Sequence, residues 1–259
     1  MGITTSYSGT LEYIRNRWPT FMLGYGGCIT ILLITLFVSL DQGWLGFVNI
    51  ALAGLLVFFY FLAASLWAVH KLYDGSDIID HVIEVGELVP EQKVVYIDLG
   101  LKKAAVALSR QLTTGRVIVI DVYNPQLTPA RWLSRATRRV EQPKVDPRIE
   151  WKGGSVDLLP LPDNSAPAVV MLMTASEFWQ EGDRVHLLNE IFRVITEDGS
   201  LLIVERVRTL TNWLVLGPTA ARIPGTSYWR DLLMHVGFTV THEKAYHDML
   251  CMFAAVRGS

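Results

Sequence analysis

Few side chains in this sequence stand at spacings that perform chemistry by themselves. His186, His242 and His247 are scattered, with no carboxylate or cysteine spaced to complete a metal site or a nucleophilic triad. Cys28 lies in an apolar run and Cys251 near the C-terminus, so the pair gives neither a disulfide framework nor metal-ligand spacing; both read as small apolar filler, in a reducing compartment. More suggestive are two carboxylates that each close a short apolar run. Asp98 follows Val94-Val95-Tyr96-Ile97 and is followed by Leu99-Gly100; Asp121 follows Val117-Ile118-Val119-Ile120. Two further stretches stand out. Arg131, Arg135, Arg138, Arg139 and Lys144 surround Trp132, Leu133, Ala136 and Val140. Trp213-Leu214-Val215-Leu216 lies within Thr211–Pro224.

The elements that must position these residues alternate in type. Ser76 caps a helix carrying Ile79, Val82, Ile83 and Leu88, which Pro90 stops. A buried strand over 94–97, an Ala-rich helix over 104–112 and a strand over 117–120 follow. The basic helix is expected from Thr128 to Val140, then strands at 148–151 and 168–173. Asp183 caps a helix with Val185, Leu188, Ile191, Phe192 and Ile195 inward, ended by Asp198-Gly199. A strand at 201–204, a helix from Ser227 to Gly237 and a closing hairpin of 238–241 with 249–256 complete the chain. Short apolar strands alternating with helices predict an α/β fold, with a mostly parallel sheet covered by helices on both faces. In such sheets ligands bind at the carboxyl ends of the strands. Asp98, Gly100 and Asp121 stand at those ends.

Ahead of this domain the composition differs. Phe21–Leu40 and Phe47–Val69 are uncharged, and each is long enough to cross about 30 Å of hydrocarbon as a helix. The four-residue turn Asp41-Gln42-Gly43-Trp44 makes them antiparallel neighbours, with Gly24, Gly26, Gly27, Ala51, Ala53 and Gly54 allowing close approach. Trp18, Trp44 and Trp67 fall at the run ends, where interfacial aromatics sit. The first run is too long for a signal peptide and no small-residue cleavage site follows it. A buried core hairpin is the other reading. Arg15, Arg17 and Lys71 flank one side and Asp41 the other, so both termini and the soluble domain are expected on the cytoplasmic side of the membrane. The expected division is an N-terminal segment over 1–20, a transmembrane hairpin over 21–73 and an α/β domain over 74–259.

Beyond Tyr73 the chain keeps 20 basic and 23 acidic residues, a net charge near −3. No broad basic field supports a nucleic-acid partner. The basic helix fits either anionic lipid headgroups or a solvated face packed on the sheet.

Read together, four stretches resemble the class I S-adenosylmethionine-dependent methyltransferases, and most nearly the ubiquinone and menaquinone C-methyltransferase branch. They are Val95-Tyr96-Ile97-Asp98-Leu99-Gly100; Val117 to Asp121; Asp157-Leu158-Leu159-Pro160-Leu161-Pro162-Asp163-Asn164-Ser165; and Asn189 to Val194 followed by Asp198 to Glu205. Trp229 to Phe238 also fits, and the resemblance covers roughly residues 77–256. It implies a Rossmann-type fold with S-adenosylmethionine as cofactor and no metal. It places Asp98, Gly100, Asp121, Ser155 and Val156 at the cofactor, with Asp121 accepting hydrogen bonds from the ribose hydroxyls.

The sequence departs from that pattern where the cofactor would lie. The family's D-x-G-x-G-x-G loop reads Asp98-Leu99-Gly100-Leu101-Lys102-Lys103-Ala104 here, so Lys102 and Ala104 replace the second and third glycines. A lysine there adds a cation near a cationic sulfonium. Ser155 stands where an acidic residue usually contacts adenine, Asp157 serving only if the register slips, and Pro167 stands where the fourth strand usually begins with Asp. These departures beside a kept scaffold lead to two expectations. The first is a membrane-anchored structural or assembly subunit working with membrane-protein partners. The second is an active methyltransferase on a lipid-soluble quinone, pigment or lipid. Thr211–Pro224 then reads as a pocket cap, a membrane-dipping loop, a partner contact or core packing.

Overall fold

The computed structural model describes residues 8–73, 78–112, 114–140 and 145–258. The expected cap Ser76 and the basic Lys144 lie outside them. The chain divides into two compact units, Met1–Gly75 with Leu210–Ala220, and Ser76–Thr209 with Ala221–Ser259.

The first unit is helical. Helix α1 (Ser8–Phe21) runs through a π turn at Met22–Gly26 into α2 (Gly27–Asp41). Residues 42–44, with Gly43 at φ +70°, reverse the chain into α3 (Leu45–Tyr73). Met22–Asp41 and Leu45–Leu72 are long and apolar enough to cross a membrane. Their pairing follows a heptad-spaced stripe on α3, where Ala51, Phe58 and Ser65 are buried. Gly54 lets the Leu32 side chain approach to where a Cβ would be, 2.7 Å from Leu32 Cδ2. The Tyr25 hydroxyl bonds Ser65 Oγ at 2.7 Å, and its ring meets Phe58 edge-on. Gly24, Gly26 and Gly27 have open space at their α-carbons, so among the small residues expected to allow close approach the contact is made at Gly54, with Ala51 buried. Helix α8 (Leu210–Leu216) belongs to this unit and packs on α3, as α1 does.

The second unit is a seven-stranded sheet in the order β3-β2-β1-β4-β5-β7-β6. Its strands are β1 (Val94–Asp98), β2 (Val117–Asp121), β3 (Ile149–Gly153), β4 (Ala166–Leu172), β5 (Ile195–Arg206), β6 (Phe238–Tyr246) and β7 (Leu250–Arg257). Strands β1 to β5 pair parallel, while β7 lies antiparallel between β5 and β6. Helices α4 (Ile78–Val85), α5 (Lys103–Gln111), α6 (Arg131–Thr137), α7 (Glu181–Val194) and α9 (Thr226–Val236) accompany it. Alternate strand residues Ile97, Ile120, Met171, Ile203 and Phe253 share one apolar cluster with Leu187, Ile191, Trp229 and Leu233 from α7 and α9. Burying such side chains contributes about 1.5–3 kcal/mol each. The expected α/β fold with a mostly parallel sheet is present.

Local details differ from expectation for identifiable reasons. The basic helix is α6, seven residues rather than thirteen. Pro129 restricts Thr128, whose N–H and hydroxyl both donate to the Asn124 carbonyl in a preceding turn. Helix α7 begins at Glu181, so Asp183 lies in its first turn rather than capping it. It stops at Val194, and Ile195, expected inside the helix, is already extended and opposite Ala166 in the sheet. Asp198-Gly199 therefore falls inside β5, at the register shift opposite Pro167. Between β6 and β7, His247 and Asp248 are exposed with φ near +50°, while Tyr246 is buried.

Candidate functional site at the carboxyl ends of the sheet

Parallel pairing with Asp98 opposite Asp121, and Asp121 opposite Gly153, gathers Asp98, Gly100 and Asp121 at one end of the sheet. Residues 94–97 and 117–120 are apolar throughout, and a carboxylate closes each strand at that end. Gly100 holds φ +74°, a turn that glycine makes without strain. The Asp98 carboxylate accepts the Lys102 N–H at 2.9 Å and is almost wholly buried. Burial, helped by the charge of Asp121, pushes its pKa up to about 6 against the bonds from the backbone of Lys102, Leu99 and Leu101. Asp121 accepts the Tyr123 N–H on Oδ1 at 3.0 Å. Its pKa is also raised by burial, while the Lys102 cation opposes the rise.

Lys102 occupies the site's middle glycine position in a left-handed conformation, φ +60°, directly before α5. Its ammonium lies 5.6 Å from the Trp151 ring centroid, a cation–π contact on β3. A Cβ at Gly100 would stand 3.2 Å from Thr137 Cγ2 and 3.4 Å from Asp121 Oδ2, so the open face of the glycine is met by α6. Leu133 of α6 is fully buried in the same cluster as Leu99, Val122 and Phe178. The turn before α6 is tied across to the segment after β4 by the Trp179 N–H on the Leu127 carbonyl, 3.0 Å.

The remaining expected site residues are placed differently. Gly154 donates its N–H to the Asp121 carbonyl at 2.9 Å, which brings the 153–155 turn beside Asp121. Ser155 is exposed, and its hydroxyl accepts the Leu158 N–H within its own turn. Val156 is 2% exposed, part of the apolar cluster. Asp157 is turned to His186 Nδ1 at 2.8 Å, an exposed pair whose members are 29 residues apart and illegible by spacing. Among the described residues no group of three His, Cys, Asp or Glu could hold a metal ion.

Two of the quoted motifs are staples of the scaffold. Arg193 donates to the carbonyls of Leu159 and Leu161 and to Glu190 and Asp163, while Glu190 accepts the Leu159 N–H at 2.8 Å. Hydrogen bonds from Arg193 hold the Glu190 carboxyl below its ordinary pKa. The 157–165 segment is thereby clamped to α7. Glu205 follows the apolar run at 201–204. It is fully buried at the end of β5, accepts the Ala175 N–H at 2.7 Å on Oε1, and finds no partner for Oε2 among the described residues. Burial pushes its pKa up to about 7. A polar residue ending an apolar strand was the only signal for it.

Residues 97–203 match a family model described as a methyltransferase domain. No curated protein matches the chain by sequence. Among solved structures, a SAM-dependent methyltransferase from Aquifex aeolicus is 20% identical, covering 72% of this chain and 95% of its own, with a TM-score of 0.55. The pyocyanin biosynthetic protein PhzM is 17% identical over 90% of this chain and 71% of its own, TM-score 0.55. The cyclase SpnF is 18% identical over 71% and 80%, TM-score 0.52. The α/β unit therefore has the methyltransferase, Rossmann-type fold. A cyclase among structures of this fold means that fold alone does not name the reaction. The domain match makes S-adenosylmethionine the cofactor to test here. The residues fit it in part. Gly100 and Asp121 keep the turn and the acceptor, but a sulfonium would enter beside the Lys102 cation, and Thr137 already covers the glycine.

Proposed function

We propose that this protein is a membrane-anchored member of the methyltransferase fold that acts as a structural or assembly subunit of a membrane-protein complex, without efficient methyl transfer. The observation that carries this reading is Lys102. It is held in a conformation costly for a side-chain-bearing residue, and its ammonium is drawn to Trp151 and Asp121 where a cationic cofactor would need acceptors. Thr137 against Gly100 supports it.

The anchor rests on the two apolar helices. A core hairpin of a soluble protein would be enclosed, yet only 6% and 11% of these spans is buried. Arg15, Arg17 and Lys71 on one flank and Asp41 on the other favour a cytoplasmic-membrane protein with both termini and the α/β unit in the cytoplasm. The partners are then the bilayer and other membrane proteins, with no nucleic acid.

A second reading has its own support. Asp98, Gly100 and Asp121 remain gathered at one end of the sheet, as a methyltransferase acting on a quinone, pigment or lipid would require. Isothermal titration of the detergent-solubilised full chain with S-adenosylmethionine and S-adenosylhomocysteine separates the two. Absence of binding at millimolar ligand, with binding gained in Lys102→Gly, is the expected result. Micromolar binding by the unaltered chain would sink the first reading in favour of the second.

A further inference from the structure

The helical unit is turned inside out, and α8 shares that inversion although it is inserted from the far part of the chain. On α1, Thr10 and Asn16 are buried while Leu11 and Trp18 are 63% and 51% exposed. On α8, Asn212 is 2% exposed while Leu210 and Trp213, three residues apart on one face, are 73% and 41% exposed. A helix resting on water shows the opposite pattern. The depth at which α3 leaves the hydrocarbon follows from helix lengths. The 20 residues of the first span rise about 30 Å at 1.5 Å each, the thickness of the hydrocarbon. Leu32 against Gly54 and Tyr25 against Ser65 set the antiparallel register with α3, so the matching part of α3 ends near Ser65. The last turns of α3, with Ser65, Ala68, Val69 and Leu72 buried, extend beyond that depth. By that register the half-exposed Trp18 and Trp67 both fall near the same end of the helix pair.

We propose that α8 is an interfacial membrane element, seated on α3 at headgroup depth, with Leu210 and Trp213 inserted among the lipids. It completes an aromatic belt with Trp18 and Trp67, and Trp44 marks the opposite surface. Tryptophan prefers this depth because its ring is apolar and its N–H is polar. Only three residues, Val207–Thr209, join α8 to the end of β5, so the α/β unit has a second attachment to the bilayer besides its N-terminal connection. This inference rests on the anchor reading above.

The test places a bimane label at one site at a time in the full chain carrying Cys28→Ala, Cys251 being buried. The sites are Leu210→Cys, Trp213→Cys, Phe37→Cys as the span reference and Met234→Cys on α9 as the aqueous reference. The protein is reconstituted in phosphatidylcholine–phosphatidylglycerol vesicles containing lipids with a nitroxide high on the acyl chain. The expected result is loss of bimane fluorescence at 210, 213 and 37 with lipid nitroxide, and at 234 only with aqueous iodide. Lipid quenching at 37 with iodide quenching at 210 and 213 would overturn this inference and leave the anchor standing. Absence of lipid quenching at 37 would overturn the anchor reading, and this inference with it.

Discussion

In the α/β unit Ile97 and Phe253 are wholly enclosed, whereas in the helical unit Leu23 and Phe37 are 80% and 74% exposed. The residue types are the same and the burial is opposite. The polar residues reverse in step, since Thr10, Asn16, Ser39, Ser65 and Asn212 are buried among the helices. Apolar burial stabilises a fold only if water is the alternative solvent. On the anchor reading proposed above the two units are built for different surroundings, and each one's energetics should respond to the same substitution differently.

The largest effect that sharpens this contrast is a matched truncation. Phe253→Ala should destabilise the α/β unit by about 3–5 kcal/mol in chemical denaturation, from lost transfer energy plus a cavity. Phe37→Ala in the same detergent should leave the midpoint nearly unchanged; an equal loss at both sites would break the comparison.

The next effect concerns a polar group enclosed in the core of the α/β unit. Glu205 keeps its proton to about pH 7 when folded, against 4.5 ordinarily, because burial disfavours its charge. Between these values the folded state binds more protons than the unfolded state. The stability contributed by the raised pKa is therefore complete below pH 4.5 and falls away as pH rises through 7. Glu205→Gln should remove that slope and raise stability at pH 8 by about 3 kcal/mol, read from melting curves between pH 5 and 8. A slope unchanged by the substitution would refute the assignment.

Smaller effects follow at the candidate site and the helix pair. Lys102→Gly should relieve the left-handed backbone and stabilise the protein by up to about 1 kcal/mol, while removing the cation opposite Asp121. Equilibrium unfolding gives the first quantity, and ligand titration the second. Gly54→Ala should matter least, because only the end of the flexible Leu32 side chain must move. A drop of no more than about 1 kcal/mol in thermal unfolding in detergent is expected.

Much of this architecture was legible in residue order. Apolar runs at 94–97, 117–120 and 201–204 became β1, β2 and β5, and Gly237 ended α9 in a left-handed cap at φ +106°. Boundaries failed where tertiary pairing competed with local signals. Ile195 fits the helical spacing of α7, yet pairing with Ala166 claims it for β5. Of the expected site, Asp98, Gly100 and Asp121 were found together because parallel pairing brings strand ends to one side. Ser155 and Val156 were not legible in the same way, since a turn bond and core burial decide where they point.

By itself, then, the sequence determined the two apolar spans, the alternation that makes a parallel sheet and the carboxylates at its strand ends, since periodicity and run length are properties of neighbouring residues. Only tertiary structure decided that Lys102 lies over Trp151, that Thr137 covers Gly100, that His186 meets Asp157 and that α8 joins the helical unit. Those contacts join residues roughly 30 to 150 positions apart, and at such separations packing and the cost of burying charge choose the neighbours.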